Sequence, residues 1–199
     1  SREKVIKKIS HILYQLIKFT DKIFRVLFKR SFLRFFKEFL ENDSYKSIII
    51  QNQKLNFFVP NEITEWRVNT FFTKEPETLE WIDNFYDKKK IIFWDIGANI
   101  GLYSIYAALK YKDIEIVSFE PSTSNLRILS RNISINRLED KIFIYQLPLT
   151  KSENQPLMFE ESDFIEGSSN NTSGEGIDFK GNLLKPKNRY KIFGTNINH

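Results

Sequence analysis

At 199 residues the chain can hold one domain with a sizeable core plus an appendage. Its composition, 41% hydrophobic and 15% aromatic with 19 Phe, is that of a folded protein. Cys is absent, which excludes a disulfide framework, a thiolate nucleophile and a cysteine metal site. The two His residues, His11 and His199, read as ordinary surface residues and leave little for a histidine metal centre or a Ser-His-Asp triad; no metal site is expected. The formal net charge of +5 is unevenly spread: residues 1–46 carry twelve Lys/Arg against five Asp/Glu, and the remainder carries 18 against 20. The basicity belongs to an N-terminal arm, and the nearly neutral body argues against a nucleic-acid partner.

Residues 4–40 read as helical. Val5, Ile9, Ile12, Leu13, Leu16 and Ile17 recur at spacings of three and four, and Ile23, Leu27, Phe28, Phe32, Phe35, Phe36 and Phe39 continue the stripe. Two helices are expected, broken near Thr20-Asp21 or Arg30-Ser31. The arm is placed at residues 1–45 and the body at 46–199. The arm has two readings: it covers its own domain with Lys and Arg facing water, or residues 1–42 lie on an anionic membrane surface or a partner. Charges interrupt every apolar run, so neither a signal peptide nor a membrane span is expected. The chain reads as cytoplasmic, or peripheral at a membrane surface through the arm.

Residues 47–51 and 54–59 read as a β-hairpin around Asn52-Gln53, ended by Pro60. A helix is expected to begin between Thr73 and Pro76, with Thr73 as cap and Glu75 and Glu77 on its positive end, and to close at Lys88-Lys89-Lys90. An alternating series follows: an apolar strand at 91–94, a glycine loop, a helix over 102–110, a strand at 114–119, a helix capped by Ser122, and a strand at 142–147. Short links between such elements specify a parallel sheet with right-handed crossovers. Residues 151–190 are loop-rich, with 168–174 a loop or disordered tip flanked by short strands at 157–159 and 190–193.

The chemistry concentrates in Asp95-Ile96-Gly97-Ala98-Asn99-Ile100-Gly101. Gly97 permits a backbone angle other residues resist and a close ligand approach, and Gly101 lets the next helix start near the strand. The amides at that helix start favour an anionic group. Dinucleotide enzymes show three glycines after an uncharged strand end, whereas here Asn99 takes the middle place and Asp95 precedes the turn. A carboxylate there repels pyrophosphate but suits an ammonium group. Glu120, at the tip of the next strand, is placed to accept from ribose hydroxyls. One acid for an amino group, one for a ribose and a glycine loop for a carboxylate together describe S-adenosylmethionine. The cofactor residues are Asp95, Gly97, Ala98, Asn99, Gly101, Glu120, Pro121 and Ser122.

The run Asp95 to Ser104, followed by Phe119-Glu120-Pro121-Ser122 and Asn125, resembles the FkbM family of S-adenosylmethionine-dependent methyltransferases, as does the upstream helix around Phe72 to Ile82. The resemblance covers roughly residues 57–159. It implies a Rossmann-like three-layer α/β/α sandwich of class I methyltransferase type, Asp95 and the 97–101 loop at the methionine end, and Glu120 at the ribose. It also implies O-methylation of a small-molecule or glycan hydroxyl. The family continues with an Asp-Val-Glu-Gly type of strand and further helices; this chain, which opens on Ser1 and stops at His199, is expected to be an incomplete copy of that fold. Neither a general base nor an oligomeric state is legible. Two rival readings are a non-catalytic module docked on a membrane or partner, and a nucleotide- or NAD-binding Rossmann enzyme.

Overall fold

The computed structural model describes residues 2–86, 89–151, 154–169, 171–173, 183 and 185–196. Lys88, Asn170, Gly174 and His199, on which parts of the reading above fall, lie outside the described residues. The chain divides into two units, Ser1–Ser44 and Tyr45–His199.

The first unit is two helices, α1 (Arg2–Phe28) and α2 (Leu33–Asp43). They separate at residues 29–32, the second of the two expected break points. Lys29 turns into the left-handed region, at φ 56°. Asp21, at the other expected break, lies inside α1 and makes the corner from a distance. Its carboxylate accepts from the backbone amides of Phe32 (2.8 Å) and Leu33 (3.2 Å), from Ser31 Oγ (2.9 Å) and from Arg25 Nε (2.6 Å). Those amides begin α2, whose own cap position, Phe32, has no side-chain oxygen to offer them. Burial works against the charged form of Asp21, but the bonds from Arg25, Ser31, Leu33 and Phe32 outweigh it and hold the carboxyl below its usual range.

The second unit opens with a hairpin, β1 (Tyr45–Ile50) and β2 (Gln53–Phe58). The turn is Gln51-Asn52, one residue earlier than the sequence reading. Ile50 pairs with Gln53, and a type I′ two-residue link, whose twist matches that of the strands, requires left-handed backbone at both positions. Gln51 and Asn52 supply it at φ 49° and 61°. Helices α3 (Glu62–Asn69), α4 (Phe71–Lys74) and α5 (Pro76–Asp83) follow. The expected cap Thr73 is instead inside α4, and Pro76 at the first position of α5 fixes that start. The helix closes at Asp83, ahead of the lysine run.

The parallel sheet then forms in the order β3-β4-β5, from β3 (Ile91–Ile96), β4 (Ile114–Phe119) and β5 (Ile142–Tyr145), linked by α6 (Leu102–Lys110) and α7 (Thr123–Ile135). This is a mixed α/β, Rossmann-like arrangement. The residues of β3 to β5 that alternate inward, Phe93, Ile116 and Ile142, are buried with Ile105 of α6 and Ile128 and Leu129 of α7 in one apolar core. The opposite face carries Ile92, Trp94, Ile96, Phe143 and Tyr145, all exposed. Among the described residues the helices therefore cover one face of the sheet, two layers of the expected three. A last antiparallel sheet, β7-β6-β8, is built from β6 (Gln155–Glu161), β7 (Asn171–Ser173) and β8 (Asn188–Gly194).

Candidate functional site

The site forms at the carboxyl ends of β3 and β4, where the chain leaves a parallel sheet and ligand crevices commonly open. Asp95 pairs in register with Ser118 and Ile96 with Phe119, so Asp95 and Glu120 stand at neighbouring strand tips. The amides of Gly97 and Ala98 both donate to the Phe119 carbonyl, at 2.9 and 3.0 Å, which ties the glycine turn to the tip of β4. Gly97 has φ +79°, and among the described residues a Cβ there would meet nothing within 4 Å, which leaves open space beside the main chain. Gly101 differs. At φ +86° it begins α6, and a Cβ would lie 2.5 Å from Leu129 Cδ1. Its missing side chain serves the packing of α6 on α7.

Glu120 is 4% exposed. Oε2 accepts the Asn99 amide at 2.7 Å and Oε1 the Ser122 amide at 2.8 Å, so the carboxylate clasps the turn on one side and the start of α7 on the other. Burial, partly offset by the bonds from Ser122, Asn99 and Asn125, and reinforced by the charge of Asp95, pushes its pKa up to about 7. With three of about four acceptor positions so used, the carboxylate keeps room for a further donor from a ligand. Asp95 sits deeper. Its Oδ2 accepts from the Ser104 amide (3.1 Å) and Ser104 Oγ (2.5 Å), and Ser104 Oγ meets Ser118 Oγ at 2.7 Å. Burial raises its pKa against those bonds. Asp95 thus fixes the first turn of α6 from below.

Two cavities adjoin the turn. One of about 400 Å³ is lined by Gly97, Asn99, Glu120, Pro121, Asn125 and Leu147, among others. A second of about 180 Å³ is lined by Arg67, Lys74, Glu75, Ala98, Asn99 and Tyr103. Of the residues singled out from the sequence, Glu120 and Pro121 line the first, Ala98 the second, and Gly97 and Asn99 both. Asp95, Gly101 and Ser122 line neither. Ser122, fully buried, caps α7 and donates from Oγ to Glu161 Oε1 at 2.5 Å, so it braces Glu120 from behind. The larger cavity is of a size that holds a small cofactor, for which about 300–1,000 Å³ is usual. Open space at Gly97, an acid beside it and a half-apolar wall fit a nucleoside bearing a zwitterionic tail.

Two groups of residues at this site carry little sequence signal. Arg67, on α3, donates from Nε to the Gly167 carbonyl at 2.5 Å; burial lowers its pKa, against the pull of Glu75 and Glu120. The segment around Gly167 and Ser168 is held over the turn: Asn99 Nδ2 and Asn125 Nδ2 each donate to Ser168 O at 3.0 Å, and Gly167 N donates to Asn125 Oδ1 at 2.7 Å. Asn99 Oδ1 is buried and, among the described residues, meets no hydrogen-bond donor. Tyr103 donates to Glu75 Oε2 at 2.8 Å, which makes both a wall of the smaller cavity and raises the Tyr103 pKa, burial contributing most. Glu75 therefore does more than complement the α5 dipole.

No family model matches the chain. Over 58 residues it is 40% identical to the methyltransferase sdnD of Sordaria araneosa, a stretch covering 29% of this chain and 22% of that protein. The chain thus has a methyltransferase homologue over that stretch, which supports a methyltransferase family. Among solved structures it is similar to a SAM-dependent methyltransferase from Agrobacterium tumefaciens (TM-score 0.41, 14% identity, 52% of this chain and 32% of that one). It is also similar to P. horikoshii TYW2 in complex with MeSAdo (TM-score 0.39, 17% identity, 56% and 40%). The chain spans well under half the length of each of these proteins.

Proposed function

We propose that residues 46–199 form the cofactor-binding half of an S-adenosylmethionine-dependent methyltransferase of the FkbM type, acting on a hydroxyl of a sugar, glycan or natural product. The observation that carries the reading is the pair of buried carboxylates at adjacent parallel strand tips, one of which, Glu120, clasps a glycine turn that opens onto a cavity of about 400 Å³. Glu120 would accept from the ribose hydroxyls. The 97–101 loop would border the amino-acid tail, its Gly97 and Ala98 amides being spent on the Phe119 carbonyl. Asp95 Oδ1, the oxygen not taken by Ser104, would meet its ammonium group. Asn99 and Pro121 would line the cofactor's path, while Gly101 and Ser122 hold that path in shape.

When bound, the cofactor supplies a sulfonium methyl group for in-line displacement by an acceptor oxygen. This chain's residues contribute by positioning: the clasp of Glu120 on Asn99 and Ser122 fixes the turn before any ligand arrives, which reduces the ordering cost of binding. The hydroxyl specificity rests on the resemblance of the motif, and the methyltransferase homologue supports the coarser class. Calorimetric titration with S-adenosylhomocysteine tests the site. Asp95→Ala and Glu120→Ala should each weaken binding by about tenfold or more, the loss of a charge-assisted contact. Unchanged affinity in both variants refutes it.

A further inference from the structure

We infer that the arm is a docking element for anionic phospholipid, lying in the plane of a membrane surface. This inference stands apart from the methyltransferase reading and uses none of its residues. Wound at 100° per residue, α1 gathers its apolar side chains into an arc of roughly 200°, with Ile9, Leu13, Leu16 and Leu27 near its centre. Lys4, Lys8, Lys18, Lys22 and Arg25 fall in the opposite arc of roughly 100°. The two acids of α1, Glu3 and Asp21, lie at the border, and each is ion-paired within the helix, to Lys7 at 2.9 Å and Arg25 at 2.6 Å. From residue 2 to residue 37 eleven bases face two acids.

Most of the apolar arc is exposed, Leu13 at 54% and Leu27 at 69%, with Ile17 and Phe24 half-buried. It also continues around the corner. Phe24 contacts Phe28 and Phe32, and Phe32 contacts Phe36, so an aromatic ladder carries the apolar surface from α1 into α2 while Asp21 holds the two helices together. At about 1.5 Å per residue α1 alone is about 40 Å long. No described helix is long and apolar enough to cross a membrane. A long helix with segregated cationic and Leu/Phe-rich faces is the form that beds into the headgroup boundary.

Charge decides the occupant. An apolar protein surface would satisfy the arc and leave the flanking bases without a counterpart, and a second copy of the arm would set like charges side by side. An anionic leaflet satisfies both faces at once.

The test is co-sedimentation of the 199-residue chain with vesicles of phosphatidylcholine alone or with about 30% phosphatidylglycerol. Binding should be about tenfold or more stronger to the anionic vesicles, and should fall steeply near 1 M salt, where screening reaches about 3 Å. Lys4→Glu/Lys8→Glu/Lys18→Glu/Lys22→Glu should weaken it by roughly a hundredfold or more. Leu13→Asp/Leu16→Asp should also abolish it, because the arc must enter the boundary; retained binding in that variant overturns insertion. Circular dichroism checks that the variants stay helical, and the salt titration needs no variant. Equal binding to both vesicles, or to neither, overturns the proposal. So does light scattering that finds arm-dependent self-association while the vesicles stay bare.

Discussion

Adenosine, which carries the ribose without the amino-acid tail, should bind this chain about tenfold more tightly at pH 8 than at pH 6. The cause is Glu120, whose burial between the glycine turn and α7 lifts its pKa to about 7. Ribose hydroxyls donate, so they favour the ionised carboxylate, and binding must expel the proton wherever Glu120 is neutral. With a pKa near 7 the ionised fraction rises from roughly a tenth at pH 6 to roughly nine tenths at pH 8, worth about 1.4 kcal/mol in binding. Calorimetry in buffers of different ionisation enthalpy reads both the affinity and the proton released. Glu120→Gln should bind more weakly at pH 8 and lose the slope. A flat wild-type profile between pH 6 and 8, or the same slope in the Gln variant, refutes the reasoning.

Four further outcomes are expected. The raised pKa of Glu120 opposes ionisation in the folded state, so its contribution to stability is full below its ordinary value of 4.5 and is lost as pH rises through about 7. Urea unfolding of wild type against Glu120→Gln should show a difference that grows with pH by up to about 3 kcal/mol. Gly101→Ala combines left-handed strain with the approach to Leu129 and should cost about 3 kcal/mol, whereas Gly97→Ala, with open space around it, should cost about 1 kcal/mol while weakening adenosine binding; matched denaturation curves check both. Asn61→Ala removes the side-chain cap of α3 and its link to the Glu166 carbonyl, for a loss of about 1 kcal/mol by the same assay. Asp21→Ala should reduce far-UV helicity, since the first amides of α2 lose their acceptor.

The parallel sheet was legible because its signals are local. Residues 91–94 are an apolar run, 114–119 are rich in Ile, Val and Phe, Ser122 is a cap, and Gly97 and Gly101 sit where φ is positive. Helix α3 was missed because Thr64 and Val68, its buried residues, make no apolar stripe. The usable signal was the capping box, in which Asn61 accepts from Ile63 and Thr64 and Thr64 Oγ1 accepts from the Asn61 amide, directly after Pro60. The stretch from 165 to 169 reads as a polar loop; what orders it is distant in sequence, Asn61, Arg67, Asn99 and Asn125 converging on its backbone. Nor could sequence tell that Asp95 spends one oxygen on Ser104. Which way a strand-tip acid turns depends on the helix packed beneath it, and here that helix presents a hydroxyl.

The most direct measurement is a paired calorimetric titration of the 199-residue chain with S-adenosylhomocysteine and with NAD. Saturable, single-site binding of S-adenosylhomocysteine with at least about tenfold preference over NAD is the expected result. A preference for NAD would contradict the assignment of Asp95 and Glu120 to a sulfonium amino acid joined to adenosine.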